Sequence, residues 1–230
     1  MFCLRPRLAL CAELVRPGRA LADIGTDHAY LPIWLLKSGK TPRALACDVN
    51  PGPLEAARRH ARRYGVGEEL RLLLSDGLRE VPPEDAEDVV IAGMGGELIL
   101  RIVAEAPWLR DGAKRLVLQP MSAADKLRLG LKELGFQVLE ERAAVDGGKP
   151  YSGFSAAYQG EGVRTGPLYP WMGRLAPGGA HVEAYAAKVL SGLEKQRMGA
   201  AHQGRAEEAE RLGEVIQKIK DAYGYPDGQK

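Results

Sequence analysis

The chain has 230 residues, 45% of them hydrophobic, and a formal net charge of +2. That length suits one sizeable domain with an appendage, and near-neutrality excludes overall charge as the means of holding nucleic acid, so an RNA or DNA site has to be a local basic patch. Cys3, Cys11 and Cys47 lack metal or disulfide spacing, the N-terminus carries no leader pattern, and no apolar run approaches the roughly 18 residues of a membrane span, so a soluble protein of the reducing cytoplasm is expected.

Residues 4–160 alternate short apolar β-type runs with longer helical patterns, the signature of βαβ units and an α/β fold with a mainly parallel sheet. Seven strands are expected: Ala20–Ile24, Ala44–Asp48, Leu70–Ser75, Asp88–Ala92, Arg115–Gln119, Gln137–Val145 and Gly153–Tyr158. Pro53 opens a helix over Leu54–Tyr64, and Ser122 is placed to cap another over Ala123–Leu134 that Gly135 stops. The last two strands have no helix between them and are expected to pair as an antiparallel hairpin at a sheet edge through Asp146-Gly147-Gly148. Glycines and prolines then crowd residues 161–180, which read as a linker between a domain over 1–160 and a helical segment over 181–230. Val182, Tyr185, Ala186, Val189, Leu190 and Leu193 recur at helical spacing, as do Leu212, Val215, Ile216 and Ile219. The polar region Gly199–Gly204 reverses the chain between them, giving a coiled-coil hairpin.

The turn after the first strand, within Asp23-Ile24-Gly25-Thr26-Asp27-His28-Ala29-Tyr30, carries the most information. A pyrophosphate binder places glycines here as G-x-G-x-x-G so that backbone N–H groups reach the anion. This chain has only Gly25 and adds a carboxylate, which favours a positively charged ligand such as a sulfonium. Asp27, His28 and Tyr30 bring acid, imidazole and phenol together at the helix entrance, although Asp27 could equally cap that helix and Tyr30 could be core packing.

Asp48 follows this turn at the distance of a ribose-binding acid, its competing use being to cap the helix near Pro53. Asp76 and Gly77 end the third strand, where the acid can accept from an adenine amino group and the glycine lets the ring lie flat, although Asp-Gly is also an ordinary turn. Ala92-Gly93-Met94-Gly95-Gly96 makes a floor poor in side chains that a flat base or a reacting methyl group can approach. A phosphate nest at a helix over Glu97–Glu105, or a tight turn with positive φ, are the alternatives. His60, His181 and His202 lie scattered on polar stretches without neighbours at metal-ligand spacing, so no metal is expected. Arg58, Arg59, Arg62 and Arg63 stripe one helix and Arg5, Arg7, Arg16 and Arg19 cluster near the N-terminus; either group can meet phosphates, and a solvated helix face explains the first without a partner.

Asp23-Ile-Gly-Thr-Asp-His-Ala-Tyr-Leu-Pro32, Ala92-Gly-Met-Gly-Gly96, Leu118-Gln-Pro120 and Gly166-Pro-Leu168 before a helical tail resemble, in order and over nearly the whole chain, the bacterial tRNA (adenine-22-N1)-methyltransferases. The resemblance implies a Rossmann-like class I methyltransferase sheet with a C-terminal coiled-coil hairpin, using S-adenosylmethionine to methylate N1 of an adenine in the tRNA D-loop region. On it, Asp23, Ile24, Gly25, Asp48, Val49, Asp76, Gly77, Ala92, Gly93 and Met94 hold the cofactor, and Asp27, His28 and Tyr30 are the catalytic candidates. The chain departs from the family pattern at Ser152, where Gly-Lys-x-Tyr is often followed by Glu, and its C-terminal helices are short. An NAD-dependent oxidoreductase shares the alternating pattern and the ribose acid but wants the missing glycines; a non-catalytic RNA-binding protein would use the hairpin as its partner surface.

Overall fold

Parallel strands covered on both faces need continuous apolar runs, and β1 (Leu21–Ile24) is buried at all four positions. The structure is a computed structural model that describes residues 2–160, 162 and 164–225. Among these, β1, β2 (Ala44–Asp48), β3 (Leu70–Leu74), β4 (Asp88–Gly95), β5 (Arg115–Ser122), β6 (Phe136–Asp146) and β7 (Lys149–Tyr158) form one sheet in the order β3-β2-β1-β4-β5-β7-β6. The first five strands run parallel, and β7 pairs antiparallel with both β5 and β6. Chain order therefore reverses between β1 and β4, and open α/β sheets hold ligands in the crevice above such a switch.

The β6–β7 hairpin turns at Gly147 and Gly148, both at positive φ (58° and 74°), the geometry a two-residue hairpin turn demands. Pairing continues from Asp146 opposite Lys149, so β7 begins four residues before the Gly153 expected from sequence. β4 and β5 also run further, to Gly95 and Ser122, joined across an irregularity at Met94. Ser122 thus ends a strand instead of capping a helix: Ala123, at φ 50°, precedes α5 (Ala124–Glu133), with no side-chain cap.

On one face of the sheet lie α1 (Pro6–Leu14), α2 (Tyr30–Lys37) and α3 (Pro51–Tyr64), whose buried side chains join Leu21, Ala46, Val90 and Val117 in one core. On the other, α4 (Gly96–Ala104) and α5 cover Ile24, Val89, Ile91 and Phe154. No described helix is long and apolar enough to cross a membrane.

The Gly/Pro-rich stretch contains a four-residue helix, α6 (Tyr169–Met172), and buries Tyr169, Met172 and Leu175. Residues 161 and 163 of that stretch, and residues 226–230 of the tail, lie outside the described residues. The tail folds back on itself as α7 (Ala180–His202) and α8 (Ala206–Tyr223), which share a core through Leu190, Leu193, Leu212, Ile216 and Ile219. Gly199 to His202 remain helical, so the reversal is tighter than the polar composition suggested: packing of Ala200 (0% exposed) outweighs the weak helix propensity of its glycine neighbour.

Arg128 of α5 fastens these parts together. Its guanidinium donates to Glu141 Oε1 of β6 (2.6 Å), to Ser152 Oγ of β7 (3.0 Å), to the Tyr185 hydroxyl of α7 (3.0 Å) and to the carbonyl of Pro170 (2.7 Å). Glu141 Oε2 in turn accepts the Arg174 backbone N–H (2.9 Å). A glutamate at 152 would bring a second carboxylate against a cation that Glu141 already matches, which is a physical reason for the serine.

Candidate active site

The strand order places four sequence features along one edge of the sheet: Asp76-Gly77 after β3, Asp48 ending β2, the turn after β1, and the glycines ending β4. The turn is tied to β2, because Gly25 N and Thr26 N both donate to the Cys47 carbonyl (2.8 Å each). It also presses on the β4 end, since a Cβ at Gly25 would run into the Met94 methyl group. Gly25 (φ 72°) and Ala29 (φ 55°) both take left-handed backbone, so the chain enters α2 without a side-chain cap and Asp27 is not needed as one.

Asp23 is buried between β2 and β4, and burial, with Asp48 nearby, pushes its carboxyl up to about 6. Ile24 beside it is buried core. Asp48 Oδ1 accepts the Asn50 N–H (2.8 Å), leaving Oδ2 without a hydrogen bond among the described residues. Val49 next to it is 59% exposed, an apolar side chain on the crevice rim. Asp76 is held by Arg79 (2.8 Å), and Gly77 takes the left-handed turn (φ 63°), so that pair makes the ordinary Asp-Gly turn after β3.

Of the glycines on the floor after Ala92, only Gly93 has positive φ (79°). Gly96 starts α4 at a place where a Cβ would strike the Ala123 carbonyl, so its job is close packing.

Asp27, His28 and Tyr30 come together: Asp27 Oδ1 lies 3.4 Å from His28 Nε2, and the His28 and Tyr30 ring centres are 5.7 Å apart. The Asp27 side chain is 83% exposed and Tyr30 39%. His60, expected to be an isolated polar-face residue, packs here instead, its ring 5.0 Å from Tyr30 and its Nδ1 3.0 Å from the His28 carbonyl. Periodicity could not signal a contact between residues 32 positions apart.

The N-terminal arginines do not form a free phosphate patch, because each finds an acidic partner: Arg5 and Arg7 at Asp146 (2.9 and 3.4 Å), Arg16 at Asp88 (2.6 Å) and Arg19 at Glu87 (2.7 Å). Arg7, which sequence reasoning placed only in a cluster able to meet phosphates, reaches this edge of the sheet. Its Nη1 donates to Gln119 Oε1 (2.9 Å) and lies 3.2 Å from where a Cβ of Gly93 would sit, so the guanidinium rests on the floor itself. Gln119 is fully buried and Asp146 nearly so, while Nη2 of Arg7 makes no hydrogen bond among the described residues. The signal available in sequence was the Gln119 of Leu-Gln-Pro, a buried polar residue that must find a partner.

The fit to a zwitterionic nucleoside ligand is direct. His28 Nδ1, in the turn, is buried with no hydrogen-bond partner among the described residues, and buried polar groups in folded proteins are normally satisfied. Along the same edge of the sheet lie four carboxylates, Asp23, Asp27, Asp48 and Asp76, and one cation, Arg7, with an open donor. A separate cavity of about 300 Å³ lies beyond β5, between Met121, Tyr151, Trp171 and Lys188, away from this turn.

Residues 4–153 match the methyltransferase-domain family. The chain is 33% identical to the tRNA (adenine(22)-N(1))-methyltransferase of Bacillus subtilis over 172 residues, 72% of each protein. Among solved structures it resembles Sp1610 of Streptococcus pneumoniae, a candidate tRNA (m1A22) methyltransferase (TM-score 0.83, 31% identity, 96% of this chain and 100% of that one). It also resembles M. capricolum TrmK in complex with S-adenosylhomocysteine (TM-score 0.81, 25% identity, 96% and 100%). A crevice suited to a charged nucleoside, at the switch point of a sheet shared over nearly its whole length with these proteins, has one consistent assignment: the chain belongs to the tRNA (adenine(22)-N(1))-methyltransferase family.

Proposed function

We propose that this protein uses S-adenosylmethionine to methylate N1 of adenine 22 in tRNA, in the reducing setting that free, buried Cys11 and Cys47 suit. The chain-long likeness to tRNA (adenine(22)-N(1))-methyltransferases carries the reading. It accounts for an acidic turn that a dinucleotide would avoid.

When bound, S-adenosylmethionine supplies a methyl group already activated on a positively charged sulfur, so the protein has to align rather than form a covalent intermediate. Asp48 offers Oδ2 to the ribose hydroxyls while Asn50 holds Oδ1, and Val49 covers the sugar's apolar side. Asp76, steadied by Arg79, accepts from the adenine amino group above Gly77. Asp23, Ile24 and Gly25 form the wall beneath the amino-acid end, Asp23 facing its ammonium. Arg7 turns its open Nη2 to the carboxylate. Ala92, Gly93 and Met94 leave the transferring methyl group room against the floor.

Adenine N1 lies on the pairing edge, so the target base has to be unpaired or flipped out before attack. Methylation makes the ring cationic and its N6 proton labile. Asp27, exposed and beside His28 Nε2, stabilises that charge and receives the proton, and Tyr30 presents its ring to the base.

Two measurements test this reading: thermal unfolding with S-adenosylhomocysteine or NAD, and transfer of labelled methyl groups to bulk tRNA. Stabilisation by S-adenosylhomocysteine and incorporation into tRNA are expected. Stabilisation by NAD alone, or tRNA binding without incorporation, contradicts it.

A further inference from the structure

α3 buries Leu54, Ala57 and Ala61 and turns Arg58, Arg59, Arg62 and Arg63 to solvent. Residues four apart on a helix are neighbours about one turn away, so these side chains make a two-wide basic strip. Arg58 pairs with Glu55 at 3.5 Å, both well exposed, a contact that contributes little. Arg59 and Arg62 make no ion pair among the described residues. Unlike the N-terminal arginines, this strip keeps its charge.

An aromatic path joins the strip to the turn. Arg63 lies over the Tyr64 ring (5.9 Å), Tyr64 packs on Phe2 (4.9 Å), Phe2 meets Tyr30 edge-on (5.6 Å), and Tyr30 adjoins His28. Phe2 and Tyr64 are only half-buried and Tyr30 is exposed, so the path is open to a ligand. Positive charge beside accessible aromatic rings is how proteins hold single-stranded nucleic acid, phosphates on the charges and bases on the rings.

We propose that the outer face of α3, with Tyr64 and Phe2, is the surface on which the RNA substrate lies as its target base reaches the turn. Arg59, Arg62 and Arg63 hold its phosphates, and an unpaired base beside the target stacks on the Tyr64–Phe2 edge. This rests on the functional reading above. It accounts for exposed arginines, Arg59 and Arg62, that make no ion pair among the described residues of a nearly neutral chain.

The test is steady-state methylation of a tRNA transcript by the full chain, with S-adenosylhomocysteine affinity measured in parallel. Arg59→Glu/Arg62→Glu is expected to raise KM for tRNA at least about tenfold, with kcat and S-adenosylhomocysteine affinity unchanged, and to lower the slope of log affinity against log salt by about 1.5. Arg101→Glu/Arg110→Glu, the same change of charge on exposed positions of the opposite face, is expected to leave KM within about twofold. Tyr64→Leu, which keeps bulk without the ring, raises KM where Tyr64→Phe does not. An unchanged KM in the α3 variant, or an equal rise in the opposite-face variant, overturns the proposal. A wild-type protein that binds S-adenosylhomocysteine but methylates no tRNA overturns the functional reading first, and the proposal with it.

Discussion

Arg128 and Glu141 form an ion pair 2.6 Å apart with both side chains fully buried, on α5 and β6 respectively. Removing one member of such a pair leaves an uncompensated charge and costs about 3–5 kcal/mol. Glu141→Ala is therefore expected to lower the unfolding midpoint sharply in urea or on heating. Tyr185→Phe removes one bond to the same guanidinium and is expected to cost about 1–2 kcal/mol. Because Tyr185 belongs to α7, an equal loss from Tyr223→Phe, whose hydroxyl donates to the Leu175 carbonyl instead, would show that the buried charge has no special weight.

Asp23 gives a pH dependence of definite sign. An unfolded aspartate ionises near pH ~3.9, whereas burial holds this one up to about 6. Between those values the folded protein keeps a proton the unfolded chain has lost, so this group's contribution to stability falls as pH rises from about 4 to 6 and is constant above. Asp23→Asn lacks the penalty, and its stability relative to wild type is expected to grow by about 3 kcal/mol from pH ~4 to ~7 in urea titrations. A difference that does not change with pH would place Asp23 in a solvated setting.

Arg7 is separated from a purely structural role by the choice of ligand. S-adenosylhomocysteine carries a carboxylate and methylthioadenosine does not. Arg7→Ala is expected to weaken the first by about tenfold or more, as loss of a charge-assisted hydrogen bond does, and the second by less than about twofold. Equal losses would mean that Arg7 only braces Gln119 and Asp146.

Asp48→Ala is expected to weaken S-adenosylhomocysteine by about 1–3 kcal/mol through loss of the ribose contact, read by calorimetry. Unchanged affinity removes Asp48 from the site.

Much of the sheet could be read because its cues are local: buried strands are apolar runs, and Gly147-Gly148 can hardly be anything but a tight turn. The crevice could be read because it is made where strands end. The longer strands β4 and β5 escaped, since Gly95 and Ser122 are in strand only through pairing with each other. Nothing local in the sequence singles out Arg128, because its burial depends on α6 and α7 arriving more than forty residues later. Arg7 read only as one of a cluster able to meet phosphates for the same reason, its partners being Gln119 and Asp146. Tyr30 was a candidate on its own motif, but its neighbours Phe2 and Tyr64 carried no sequence signal, and only the third dimension joined the three.

The most direct measurement is the position of the methyl group in tRNA after incubation with the protein and S-adenosylmethionine, mapped by nuclease digestion and mass spectrometry. One methyl at N1 of adenine 22 is expected, with none on a transcript carrying guanine there. Methylation at another nucleotide, or unimpaired incorporation into the guanine transcript, would contradict the account.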